Sequence, residues 1–109
     1  MSIAPKRPHL EPDYLTADKL LKVAPTTMEV KGNKVTIGGG DLLAIAREYG
    51  TALYVYDENH IRRQLRSYVN EFKVCYPQST IIYAAKAFCS VATDKIVAEE
   101  GVGIDVASG

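Results

Sequence analysis

The chain has 109 residues, 47% of them hydrophobic and 24% charged, with thirteen basic side chains balanced by thirteen acidic ones. This is the profile of an ordinary globular domain, and its zero net charge argues against a nucleic-acid or other polyanion partner. No run of about 18 apolar residues is present to span a bilayer, and the opening Met1-Ser2-Ile3-Ala4-Pro5-Lys6-Arg7-Pro8 lacks the apolar core of a signal peptide, so a cytoplasmic protein with reduced cysteines is expected.

Residues 1–15 carry Pro5, Pro8 and Pro12 among polar neighbours, which predicts an extended arm, and residues 16–24 read as a short helix. Thr27-Met28-Glu29-Val30 and Lys34-Val35-Thr36-Ile37 alternate apolar and polar around Lys31-Gly32-Asn33. Gly32-Asn33 is a two-residue turn of the kind that closes a β-hairpin. Gly38-Gly39-Gly40 then precedes a helix with Leu42, Ile45, Ala46 and Tyr49 on one stripe and Gly50 at its end. A glycine-rich loop before a helix can cradle phosphate on free backbone N–H groups. Here no Lys-Ser or Lys-Thr follows the glycines and no strand feeds a G-x-G-x-x-G, so they read as a flexible hinge between domains.

From Leu53 the rhythm becomes strand, helix, strand, helix, strand. Leu53–Tyr56 is the first predicted strand, and Asp57 caps a helix with Ile61, Leu65, Tyr68, Val69 and Phe72 facing a core; Pro77 ends the connection. Thr80–Ala85 is the second strand. Ser90 caps a helix with Ala92, Ile96 and Val97 inward, and Gly101 stops it before a third strand, Val102–Ala107. Such alternation specifies an α/β fold with a parallel sheet.

Lys86 stands where the apolar run Thr80-Ile81-Ile82-Tyr83-Ala84-Ala85 gives out. In α/β folds ligands and catalytic groups gather at the carboxyl ends of parallel strands, and a partly desolvated lysine there becomes a nucleophile for a carbonyl, as pyridoxal phosphate enzymes require. The plainer alternative is a lysine capping the strand end with its ammonium in water. Asp105 interrupts the third strand, and a buried carboxylate must be paired or hydrogen-bonded; Lys86 is the partner on offer. The alternative for Asp105 is a carboxylate pinning a loop.

The remaining chemistry-bearing residues read as structural. Cys75 and Cys89 are too few and too far apart for a disulfide scaffold or zinc knuckle and are expected to pack as small hydrophobes, although Cys89 is close enough to Lys86 to line its pocket. His9 and His60 have no second ligand at metal spacing, so no metal is assigned. Arg62, Arg63 and Arg66 with Glu58 and Glu71 read as a solvated mixed-charge face, and Glu99-Glu100 as a helix end beside solvent.

Taken together, Gly50-Thr51-Ala52-Leu53-Tyr54-Val55-Tyr56-Asp57, Tyr83-Ala84-Ala85-Lys86-Ala87-Phe88 and Gly103-Ile104-Asp105-Val106-Ala107-Ser108-Gly109 resemble the start of the diaminopimelate decarboxylase family. That family lies within the alanine racemase-like group of pyridoxal phosphate enzymes, with the ornithine and arginine decarboxylases. The resemblance covers about residues 28–109 and departs from the common pattern at Ala52, where proline is frequent, and at Phe88-Cys89, where many members have asparagine.

The resemblance implies that Lys86 carries pyridoxal 5'-phosphate, with Asp105 close to the cofactor lysine. It further implies a cytoplasmic homodimer, no membrane, and release of carbon dioxide from meso-diaminopimelate to form L-lysine. The implied fold is the opening of a (β/α)8 barrel, residues 39–109, preceded by an arm and hairpin, residues 1–38, of a separate β-domain. A full barrel needs about 250 residues, so the chain is expected to be an amino-terminal piece, inactive alone. An ornithine, arginine or carboxynorspermidine decarboxylase, a racemase, and a fragment without catalytic function are the readings left beside it.

Overall fold

The computed structural model describes residues 17–108. The expected arm and His9 lie outside them. Helix α1 spans Ala17–Val23, and a three-stranded antiparallel sheet follows, with β1 at Glu29–Lys31, β2 at Lys34–Ile37 and β3 at Gly40–Asp41. The β1–β2 register pairs Val30 with Val35 and Lys31 with Lys34, so Gly32-Asn33 forms the expected two-residue turn, with Gly32 at φ 60°.

Gly38 and Gly39 are not an open hinge. Both take positive φ in a second tight turn, which returns the chain as β3 with Ile37 opposite Gly40. The conformation needs glycine, and because the turn is only two residues long it fixes the next element directly. Asp41 ends β3 and caps α2, Leu42–Tyr49, accepting from the amides of Leu43 at 2.9 Å and Ala44 at 3.2 Å. Helix α2 leans on β2 and β3, with Leu42, Ile45 and Ala46 half-buried and Tyr49 exposed.

The longest element is α3, Glu58–Cys75, followed by β4, Ile82–Ala84, a 3-10 turn at Ala85–Ala87, α4 at Val91–Glu99 and β5 at Gly103–Asp105. Strands β4 and β5 are parallel, with Ile82, Tyr83 and Ala84 opposite Gly103, Ile104 and Asp105. Leu53–Tyr56 is a correction to the sequence reading: its composition suits a strand, but it pairs with neither β4 nor β5 and all four residues are exposed. β-propensity measures fit to a pleated, half-buried surface and supplies no partner by itself.

The core lies on one side of the two-stranded sheet. Leu65 from α3, Val97 from α4 and Val102 are buried together, with Ile61, Val69, Ile81, Tyr83, Ile96 and Ile104 packed around them. Period-two alternation explains the division: Tyr83 and Ile104 face the helices, while Ile82, Ala84, Gly103 and Asp105 are exposed. On α4 the inward residues are Thr93, Ile96 and Val97, whereas Ala92 is exposed. On α3, Tyr68 and Phe72 are 58% and 44% exposed, so the predicted stripe is wider than the core it meets.

The charges of α3 are not merely a solvated face. Arg62 reaches Glu58 on its own helix and Glu99 and Glu100 at the end of α4, while Arg66 grips Glu100 through two nitrogens at 2.6 and 2.7 Å. The Glu100 side chain is only 8% exposed, and hydrogen bonds from Arg66 and then Arg62 hold its carboxyl down at about 2. This fork bolts the two helices together on the same side of the sheet.

Candidate functional site around Lys86

The carboxyl ends of β4 and β5 come together because the strands are parallel. Ala84 pairs with Asp105, and the chain beyond Ala84 tightens at once into the 3-10 turn that carries Lys86. Ala85 is 8% exposed and Lys86 is exposed, so the turn is anchored by its first residue and presents its second. Beyond it Phe88 is extended, and Ser90 caps α4 by accepting from the Thr93 amide at 3.1 Å, with the Thr93 hydroxyl 3.0 Å away. The turn is thus held between the end of a strand and the start of a helix.

Two aromatic contacts close over it. The Tyr83 hydroxyl donates to the Phe88 carbonyl at 2.7 Å, spanning the turn from one side to the other. The Phe88 ring stacks on Tyr56 with centroids 4.0 Å apart and planes 12° apart. The Tyr56 end of the unpaired Leu53–Tyr56 segment is thereby brought to the carboxyl end of β4. A tyrosine inside an apolar strand needs a partner for its hydroxyl, and that requirement was the readable signal for Tyr83.

Asp105 departs from expectation. It is exposed, and among the described residues no ion pair joins it to Lys86. It stands on the sheet face opposite α3 and α4, which no other described element covers, so no burial forces it to find a partner. Cys75 and Cys89 are also exposed rather than packed, and the Cys89 Sγ lies 3.7 Å from Asp94 Oδ2. Cys89 and Lys86 are on the same connection, but Cys89 makes its contact with α4.

Below this region Asp57 joins α3 to the hairpin. It is 7% exposed and accepts from the His60 amide at 3.2 Å and from the Thr27 hydroxyl, which itself accepts from the Gly38 amide at 2.8 Å. His60 Nδ1 accepts from the Thr26 amide at 3.1 Å. Burial works to raise the Asp57 carboxyl, but the hydrogen bonds from Thr27, His60 and Asn59 outweigh it and hold the group below the ordinary aspartate range. The cap was legible in the sequence; Thr27 and His60, some thirty residues apart from their partners, were not.

Among the described residues no helix is long and apolar enough to cross a membrane. No family model and no solved structure matches the chain. Curated proteins do. The diaminopimelate decarboxylase of Bacillus methanolicus is 42% identical over 84 residues, which is 77% of this chain and 19% of that protein. That of Bacillus subtilis is 40% identical over 84 residues, with the same two shares of 77% and 19%, and that of Methanothermobacter thermautotrophicus is 44% identical over 72 residues, 66% of this chain and 17% of that protein. The chain spans about a fifth of the length of the curated relatives it matches. In sequence, then, it is homologous to the amino-terminal region of the diaminopimelate decarboxylases.

Proposed function

We propose that the protein bearing this chain is a pyridoxal phosphate-dependent decarboxylase that releases carbon dioxide from meso-diaminopimelate to form L-lysine, and that Lys86 holds the cofactor. The carrying observation is the position of Lys86, an exposed primary amine in the turn that ends a parallel strand, inside Tyr83-Ala84-Ala85-Lys86-Ala87. The residues present suit such a group, because an accessible amine is what an aldehyde cofactor requires and Asp105 lies at the end of the adjoining strand. When bound, pyridoxal phosphate supplies an electron-withdrawing ring that stabilises the negative charge left by departing carbon dioxide.

The part of this chain is anchorage and charge. Lys86 supplies the amine from a turn whose flanks are fixed by β4 and the Ser90 cap. Asp105 supplies a carboxylate at the carboxyl end of the adjoining strand, where it can accept a hydrogen bond from the amine and orient it.

The same reading places β4 and β5 in a (β/α)8 barrel, with their exposed Ile82, Ala84, Gly103 and Asp105 toward its interior. Leu53–Tyr56 is then the strand for the free edge of β4, where an apolar groove of about 430 Å³ runs between α3 and the sheet, lined by Ile61, Tyr68, Ile82 and Tyr83 among others. Residues 1–38 are assigned to a separate β-domain and 39–109 to the barrel side, with β3, paired to β2, and α2, resting on the hairpin, tying the two across that boundary. The whole protein is a cytoplasmic homodimer.

The test uses the full-length protein. Borohydride reduction followed by peptide mapping should find the pyridoxyl label on Lys86, and Lys86→Arg should retain the charge while abolishing turnover, because a guanidinium stays protonated. Carbon dioxide should be released from meso-diaminopimelate far faster than from ornithine or arginine. Label on another lysine, or a preference for either alternative substrate, overturns the proposal.

A further inference from the structure

We infer that Tyr83 is a positioning residue for Lys86, acting through Phe88, an inference that rests on the cofactor role proposed for that lysine. The Tyr83 ring belongs to the core around Leu65, Val97 and Val102, so its hydroxyl is a fixed point. That hydroxyl donates to the Phe88 carbonyl at 2.7 Å, and the segment it spans, Ala84 to Ala87, is the one that bears Lys86. On the far side, the Phe88 ring is held flat against Tyr56. The turn is therefore clasped at its start by the β4–β5 pairing and the burial of Ala85, and at its end by one hydroxyl and one ring stack.

A lysine side chain has four rotatable carbons and no rigidity of its own, so the position of its nitrogen is set by where its backbone is held. With the Tyr83 bond in place the backbone of Lys86 is fixed on both sides. Without it, the segment from Lys86 to Cys89 keeps the Tyr56–Phe88 stack, the Cys89–Asp94 contact and the Ser90 cap, none of which holds the Phe88 carbonyl. Tyr83 itself touches neither substrate nor cofactor in this scheme.

The experiment compares wild-type full-length protein with Tyr83→Phe, which keeps the ring in the core and removes only the hydroxyl. A second variant, Phe88→Leu, removes the stack while leaving the carbonyl acceptor. In the cofactor-free protein, amide hydrogen exchange over residues 86–89 should quicken about five- to tenfold in Tyr83→Phe, the effect of losing one net hydrogen bond, with α3 and α4 unchanged. In the loaded protein, cofactor release should quicken and kcat should fall about tenfold with KM little changed, as expected when a reacting amine loses its alignment. Phe88→Leu should move the same readouts in the same direction.

Unchanged exchange at residues 86–89 overturns the clasp. Faster exchange with unchanged cofactor release and kcat shows a local structural bond without a positioning role, and equally overturns the inference. Borohydride label on a lysine other than Lys86 rejects the cofactor assignment itself, whereas label on Lys86 with either negative result above rejects only the role given to Tyr83.

Discussion

Replacing Asp57 by alanine should loosen the first turn of α3 and its tie to the hairpin together. Losing a helix cap costs about 1 kcal/mol, and leaving the Thr27 hydroxyl in a half-buried place without its acceptor costs about 1 kcal/mol more. The sum, about 2 kcal/mol, is roughly a thirtyfold rise in local opening. Amide hydrogen exchange of residues 60–62 reads it directly, since the His60 amide is one of the donors lost. Thr27→Val removes the other end of the same bond, so the double variant should lose less than the sum of the singles by about 1 kcal/mol. Acidity supplies an internal check. Because the Asp57 carboxyl titrates below its ordinary range in the fold, its contribution is complete above that range and disappears as the pH falls through the lowered value. The difference between wild type and Asp57→Ala should therefore shrink on acidification. Strict additivity of the two single changes, or a rise in exchange of less than about threefold, would refute the reasoning.

Three further outcomes are expected. Glu100 is held at about 2 against an ordinary 4.5, so the stability it contributes is whole above pH 4.5 and is lost as the pH falls toward 2; thermal melts across that window should decline more steeply for wild type than for Glu100→Gln. Val97→Ala, which empties part of a side chain with 0% exposure, should cost about 2–3 kcal/mol by urea denaturation of the full-length protein, and a loss under about 0.5 kcal/mol would mean that the site collapses or is not the core. The 109-residue chain alone should show a broad melt and no decarboxylase activity, given the exposed apolar side chains of Ile82, Val106 and the Leu53–Tyr56 segment; a sharp cooperative melt with stoichiometric pyridoxal phosphate binding contradicts this.

Local chemistry was the legible part. Asp57 and Ser90 sit at helix starts because short acceptors satisfy free amides, and Gly32 and Gly50 sit where φ is positive; each is a decision made within a few residues. The parallel pairing of β4 and β5 was also readable, since a strand, a helix and a strand in succession leave little other choice. What failed depended on distance. Leu53–Tyr56 has strand composition but found no partner, Asp105 looked buried because the opposite face was assumed covered, and Glu99 and Glu100 looked solvated because Arg62 and Arg66 are more than thirty residues away. Of the candidate site, Lys86 at a strand end was visible in advance, whereas the Tyr83–Phe88–Tyr56 clasp joins three places that only the fold brings together.

The nearness in sequence of β4, α4 and β5 also bears on how the chain acquires its shape. Everything needed to pair the two strands lies within residues 82–105, with α4 as the crossover and Val97 as the side chain sealed beneath it. Closing so short a loop carries a small entropic penalty, and α4 begins with its own cap, so the contacts that pair the two strands are local ones. During synthesis it can assemble as soon as Asp105 has left the ribosome, with α3 already waiting to cover one face. The turn bearing Lys86 would then be shaped early, at the end of a strand pair whose register is already decided.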